Sequence, residues 1–235
     1  MEEYSFDFHL HSCLSPCGSE DMTPSNLAGM CALAGYDIVA LTDHNTVGNC
    51  AAFCQAADRY GLLALPGMEL TCREEVHVVC LFPDLPSAQA FGNLVRQRLP
   101  PLENDPRFFG PQLLMDSEDH LIGEETALLA GAADIGIYEA AELVHGYGGV
   151  AYPAHIDRDS FSVLSNLGLW DAAMGFSLAE LSLRCPPELR LRPDLAGLRF
   201  LIGCDAHYLD QIPDAAQTMT LPERTRSAVL KWLFF

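Results

Sequence analysis

Six of the eight histidines in this sequence stand at or just beyond the ends of short apolar runs: His9 and His11, His44, His77, His155 and His207. Asp43, Glu69 and Asp205 occupy equivalent places. Neutral imidazoles and carboxylates are nitrogen and oxygen donors for divalent cations, with positions left open for water. Metal binding is therefore the chemistry this set would perform. His9 and His11 fall on one side of an extended segment, because side chains alternate along a strand, and Asp205-Ala206-His207 repeats the spacing. Each group also has a plainer reading. An isolated His-x-His pair is often incidental, Thr42-Asp43-His44 would cap a following helix, Glu69 would be an exposed carboxylate, and His77 a core histidine with a partner. Their recurrence at successive strand ends favours the metal reading.

Residues so far apart meet only if regular elements carry them to one rim. Runs at residues 5–9, 38–42, 62–66, 76–81, 149–153, 178–183 and 199–203 read as seven buried strands, most of them separated by helical patterns. Thr23 and Pro24 start a helix running towards Gly35. Asn45 or Thr46 opens a second that reaches about Tyr60, and residues 137–145 form a third, stopped by Gly146. Such alternation implies parallel pairing, since a parallel return needs a crossover. A closed or nearly closed barrel follows, with the strand ends converging on one face. The pattern lapses in an insertion at residues 83–134: a helix at 87–99, a proline-rich loop, and a hairpin over 112–123 turning at Asp116-Ser117-Glu118-Asp119. Long loops carry specificity, so pocket walls are expected there.

The chain of 235 residues, 49% hydrophobic, suits one domain over 1–235. With 32 acidic against 13 basic residues the net charge is −19, which opposes binding to a long nucleic acid. The sole lysine, Lys231, leaves no P-loop and no Schiff-base site among the clusters. Nine cysteines, several inside apolar segments, suit reduced thiols in the cytoplasm. The pairs Cys13/Cys17 and Cys50/Cys54 lack the tight spacing of a zinc ribbon. The start, Met1-Glu2-Glu3-Tyr4, carries no leader-like pattern, and no apolar run nears the ~20 residues of a membrane span.

The ordered series His9-x-His11, Thr42-Asp43-His44, Glu69, His77, His155 and Asp205-x-His207 resembles the PHP (polymerase and histidinol phosphatase) metal-dependent phosphoesterases over nearly the whole chain. The resemblance implies an α/β fold, a distorted seven-stranded (β/α)7 TIM-like barrel, holding two or three divalent ions, manganese, iron or zinc. It assigns the first ion to His9, His11, Glu69 and Asp205, and the second to Glu69, His77 and His155. The third falls to His44, His207 and a first-loop donor, for which Asp21 is preferred to Glu20 and Cys17. Two departures stand out: Ile156 follows His155 where the family often has proline, and the first loop, 12–23, is longer than in many relatives. Amidohydrolases that bridge two metals through a carboxylated lysine are set apart by the missing lysine; Glu69 would bridge instead.

The implied reaction is hydrolysis of a phosphate ester by metal-activated hydroxide, with Glu69 and Asp205 catalytic and Asp43 orienting a ligand or moving a proton. Arg158 and Arg184 would bind substrate by gripping phosphate oxygens. The expected substrate is a small phosphorylated molecule, nucleotide or short oligonucleotide. Competing readings are a histidinol-phosphatase-like monoesterase and a non-catalytic metal-binding accessory domain. Lost ligands would mark the last, and none is lost. His120 and His145 are placed outside the site.

Overall fold

Strands and helices alternate along residues 1–234, which the computed structural model describes. The strands are β1 (Glu2–Asp7), β2 (Ile38–Leu41), β3 (Leu63–Thr71), β4 (His77–Leu81), β5 (Leu113–Met115), β6 (Leu121–Glu124), β7 (Val150–Pro153), β8 (Leu178–Ser182), β9 (Arg199–Gly203) and β10 (Thr218–Leu221). The helices are α1 (Pro24–Leu33), α2 (Cys50–Arg59), α3 (Leu85–Arg98), α4 (Pro106–Phe109), α5 (Ile137–Gly146), α6 (Val163–Asn166) and α7 (Arg226–Phe234).

Six strands form one sheet in the order β10-β1-β2-β3-β4-β7, while β8 pairs with β9 and β5 with β6. The parallel bridge Leu10–Ala206 ties the chain beyond β1 to the chain beyond β9. Next to β7, Ile156 N donates to Glu180 O at 2.9 Å. The result is a mixed α/β fold with a curled, half-barrel sheet. Pairing is not uniformly parallel as expected, because β4 runs antiparallel to both β3 and β7. Only residues 72–76 join β3 to β4, too few for a crossover. The reversal puts the first residue of β4, His77, opposite Thr71 at the rim where β1 and β2 end.

A second departure lies at Asn45, which opens no helix; α2 starts at Cys50. Asn45 has φ 53. Its Nδ2 donates to Leu129 O at 2.8 Å and Gly131 O at 2.9 Å, and its Oδ1 accepts from Thr71 N at 2.9 Å. The side chain thus fastens the insertion to the rim instead of capping.

Phe6, Phe8, Leu65, Val79 and Tyr152 fill the interior, with Met219 of β10 and Val229 and Leu233 of α7 at the end where β1 begins. α1 and α2 bury Leu27 and Phe53 against the outside of β2, and α3 and α5 pack Phe91 and Val144 around β3 and β4. Each such side chain contributes about 2 kcal/mol by leaving water. The insertion contains the expected helix and hairpin. Asp116 Oδ1 closes the hairpin turn by accepting from Glu118 N and His120 N, both at 2.9 Å. The hairpin docks on the first loop, where Leu113 N donates to Cys13 O at 3.0 Å. All nine cysteines are free thiols. Among the described residues no helix is long and apolar enough to cross a membrane.

Candidate metal centre

The strand ends deliver donors from all parts of the chain to one point. His11 N donates to Ala206 O at 3.1 Å, which locks the His9-x-His11 segment beside Asp205-x-His207. Asn45 N donates to Glu69 O, and Glu69 N to Asp43 O, so the loop carrying His44 lies along β3. Ala154 N donates to His77 O at 2.9 Å, holding His155 next to the start of β4. His155 and Asp205 have φ values of 28 and 49. Non-glycine residues adopt that region at a cost, and surrounding structure must enforce it.

Glu69 is the hub. Its Oε1 lies 3.2 Å from His9 Nε2, 2.9 Å from His77 Nδ1 and 3.2 Å from His155 Nε2; its Oε2 lies 3.4 Å from His11 Nε2 and 2.9 Å from His44 Nδ1. Asp205 Oδ1 lies 3.0 Å from His11 Nε2, 3.3 Å from His9 Nε2 and 3.6 Å from His207 Nδ1. Three overlapping donor groups result: His9, His11, Glu69 and Asp205; His44, Glu69 and His77; and His11, Cys17, His44 and His207. The first matches the expected first-ion set. In the second, His44 stands where His155 was expected; His44 meets Glu69 Oε2, while His155 meets Oε1, the oxygen that His77 also approaches.

This donor set fits divalent cations. His9 Nε2, His11 Nε2, Glu69 Oε2, His77 Nδ1 and Asp205 Oδ1 are buried without a hydrogen-bond partner, yet converge on one another. Buried polar atoms rarely stay unpaired unless a ligand takes them up. Charge is already organised for one. Burial would raise the Glu69 carboxyl, but His77, His9 and His44 outweigh it and hold it well below the usual carboxylate range. Asp205 behaves alike: burial pushes up, and His9 and His11 prevail in pulling it down. Burial would lower His11, yet its contacts with Asp205 and Glu69 raise it to about 9. Burial depresses His44 to about 4 and His207 to about 3.

The first loop corrects one expectation. Asp21 and Glu20 are exposed outside every donor group of the centre, and the loop donor that enters is Cys17, whose Sγ lies 3.2 Å from His44 Nε2. The loop's path explains this. Asp43 Oδ1 accepts from Ser12 N and Ser15 Oγ, both at 2.7 Å, and its Oδ2 accepts from Ser12 Oγ at 2.6 Å, pulling residues 12–15 inward. Gly18 N then donates to Ser15 O, and Ser19 N to His207 O, so the turn presents Cys17 to the rim before Glu20 and Asp21 leave it. Asp43 itself touches no donor side chain directly. It is linked to one through Ser15, whose Oγ is 2.9 Å from His11 Nδ1.

Glu180, on β8, belongs to the centre although sequence reasoning missed it. Its Oε1 lies 2.7 Å from His9 Nδ1 and accepts from His155 N at 3.2 Å. A Cβ at Gly203 would overlap the Glu180 carboxylate, so this position at the end of β9 must stay bare. The one available signal was an acid inside the apolar run Leu178-Ala179-Glu180-Leu181. Arg158 contacts Asp205 Oδ2. Arg158 and Arg184 line one polar cavity of about 770 Å³ together with Asp157, Ser182 and Asp205. His120 pairs with Asp116 at 3.0 Å on the exposed hairpin turn, away from the centre.

A PHP domain family model matches residues 7–146. No curated protein matches the chain in sequence. Among solved structures, the lesion-specific endonuclease PfuEndoQ from Pyrococcus furiosus superposes with TM-score 0.73 at 17% identity, covering 99% of this chain and 56% of its own. The chain thus spans little more than half of that protein. Endonuclease Q complexed with a 27-mer duplex bearing an abasic lesion at its active site gives TM-score 0.72 at 17% identity, covering 98% of this chain and 56% of its own. A candidate metal-dependent phosphoesterase from Bifidobacterium adolescentis gives 0.64 at 19% identity, covering 97% and 95%. At these identities the likeness is one of fold.

Proposed function

The chain belongs to the PHP domain family, and from that premise we propose that it is a metal-dependent hydrolase of phosphate esters acting on a small phosphorylated molecule, a nucleotide or a short oligonucleotide. The observation that carries this reading is Glu69, a single buried carboxylate within 3.4 Å of five imidazoles. A buried carboxylate ringed by imidazoles could be shared between divalent cations, which these residues would hold together once their protons are displaced. Such ions supply a Lewis acid for phosphate oxygens and lower the pKa of bound water towards neutrality.

The chain's own residues divide the remaining work. His9, His11, Glu69 and Asp205 form one donor set, and Glu69 is shared with His77, His44 and His155. Asp43 orients His11 through Ser15, and Glu180 orients His9. Arg158 and Arg184 offer planar donors to phosphate oxygens from the polar cavity beside Asp205. The negative surface disfavours long polyanions but admits a short ester, whose charge the ions and these arginines would meet. We read the seven strands β1–β4 and β7–β9 as staves of one distorted barrel around this centre. The fold-level likeness to an endonuclease leaves open which ester is cleaved, because pocket walls and not the fold decide it.

The test is elemental analysis of protein prepared without chelator, together with phosphate release from a panel of monoesters and short oligonucleotides. More than one transition ion per chain, lost with turnover in Glu69→Gln, is the expected result. Less than one ion per chain, or undiminished turnover in that variant, overturns the reading.

A further inference from the structure

A second cavity, of about 480 Å³, adjoins the donor cluster and shares no lining residue with the arginine pocket. Cys17, His44 and His77 form part of its wall. Four of the other eight lining residues are aromatic. Phe108 and Phe109 arrive from α4 in the insertion, Phe161 from the loop after β7, and Tyr208 from the position after His207. No lysine, arginine, aspartate or glutamate lines it.

These rings are left facing water. Phe108 is 79% exposed, Tyr208 51%, Phe109 42% and Phe161 41%, whereas Phe82 and Phe91 of the core are fully buried. Exposed apolar side chains gathered around a cavity mark a binding surface, not chance scatter. The position of Phe161 is also enforced. Its φ of 53 is rare for a bulky residue. Its carbonyl accepts from His77 N at 3.0 Å, and its ring stacks on the His77 ring at 4.6 Å and 19°. The strand that supplies a donor to the cluster therefore also sets an aromatic platform beside it.

A cavity bounded by donors of the centre serves a molecule whose phosphate is already there. The uncharged, partly aromatic wall suits a planar ring on that molecule, and anionic groups are left to Arg158 and Arg184 in the separate polar cavity that Asp205 also lines. We propose that the cavity walled by Phe108, Phe109, Phe161 and Tyr208 is the subsite for a nucleobase, so that the substrate class is ring-bearing phosphate esters rather than simple sugar or polyol phosphates. This deepens the phosphoesterase reading and rests on it. Base stacking on aromatic side chains tolerates any base, so discrimination among bases is expected to be weak.

Calorimetric binding to the metal-loaded full chain separates the two claims, because it needs no turnover. The probes are the hydrolysis-resistant methylenephosphonate analogues of AMP and of ribose 5-phosphate. The AMP analogue should bind at least about tenfold more tightly, as one stacked base provides. Phe108→Ala/Phe109→Ala and Phe161→Leu should each remove most of that ratio by weakening the AMP analogue more than the ribose analogue. Equal affinities in the unmodified chain, or a ratio that survives in both variants, overturn the subsite. Binding of the ribose analogue reports whether each variant keeps an intact centre. Absence of ester turnover alongside a preserved tenfold ratio would overturn the phosphoesterase reading and leave the ring subsite standing.

Discussion

His9 Nδ1 lies 2.7 Å from Glu180 Oε1, with both side chains at most 2% exposed. A carboxylate behind a ligating imidazole fixes the ring's tautomer and its direction, and loss of such a partner typically costs 10–100-fold in metal affinity or activity. Glu180 also accepts from His155 N, so one acid positions donors from two strands. Glu180→Ala should weaken metal binding by about 10–100-fold in chelator competition. Because it also strands His9 in a buried site, it should lower stability as well. Glu180→Gln keeps an acceptor for the Nδ1 proton and should recover part of the affinity. Wild-type affinity in Glu180→Ala would rule out the positioning role.

Arg158 meets Asp205 and opens onto the polar cavity, with its side chain 42% exposed. A guanidinium binds phosphate through a rigid fork that an ammonium cannot reproduce. Arg158→Lys should therefore raise KM by about tenfold with a smaller change in kcat, as expected when an interaction common to substrate and transition state is lost. The metal content should stay unchanged, since Arg158 is no donor. A variant with wild-type KM would show that phosphate does not enter on this side.

The cluster was legible in the sequence because six histidines and three acids recur at the margins of apolar runs, and a curled sheet brings strand ends together whatever the details of pairing. The hairpin was legible for a local reason, the capacity of Asp116 to close its own turn. What was not legible depends on tertiary contacts. Glu180 reads as one polar interruption in an apolar strand until His9 is seen behind it. That Cys17 and not Asp21 lies beside the cluster follows from hydrogen bonds from Ser12 and Ser15 to Asp43, which set the path of the loop. Likewise, α4 has no buried residue of its own, so only the docking of the insertion shows that Phe108 and Phe109 face the centre.

Chelated protein should be most stable near about pH 6.5 and decline on either side, and metal should remove the alkaline decline. Burial lowers His11, but Asp205 and Glu69 together raise it to about 9. The unfolded value is about 6.5, so the charged ring contributes stability that is fully present below about pH 6.5 and is lost as pH rises towards 9. His44, depressed by burial to about 4, acts in the opposite sense: its contribution is present above about pH 6.5 and is lost as pH falls towards 4. Bound to metal, His11 is neutral on both sides of this range, and binding displaces its proton. Thermal melts across pH 5–9, with chelator and with metal, check this. An alkaline decline of equal size in both preparations would count against His11 as a ligand.

Cys17 and Asp21 separate two versions of the first loop. Cys17 Sγ lies 3.2 Å from His44 Nε2 and joins His11, His44 and His207 in one donor group, whereas Asp21 is exposed and belongs to none. A thiolate is a soft donor that favours zinc or iron over manganese at a site otherwise made of imidazoles. Cys17→Ser should thus lower the content or affinity of the most weakly held ion, and should do so more for zinc than for manganese. Asp21→Ala should leave both unchanged. Cobalt substitution gives an independent readout, since thiolate-to-cobalt charge-transfer absorption should appear in the parent chain and vanish in Cys17→Ser, with the eight other cysteines in place. The same absorption in Cys17→Ser, or an ion lost only in Asp21→Ala, would return the loop donor to the carboxylate.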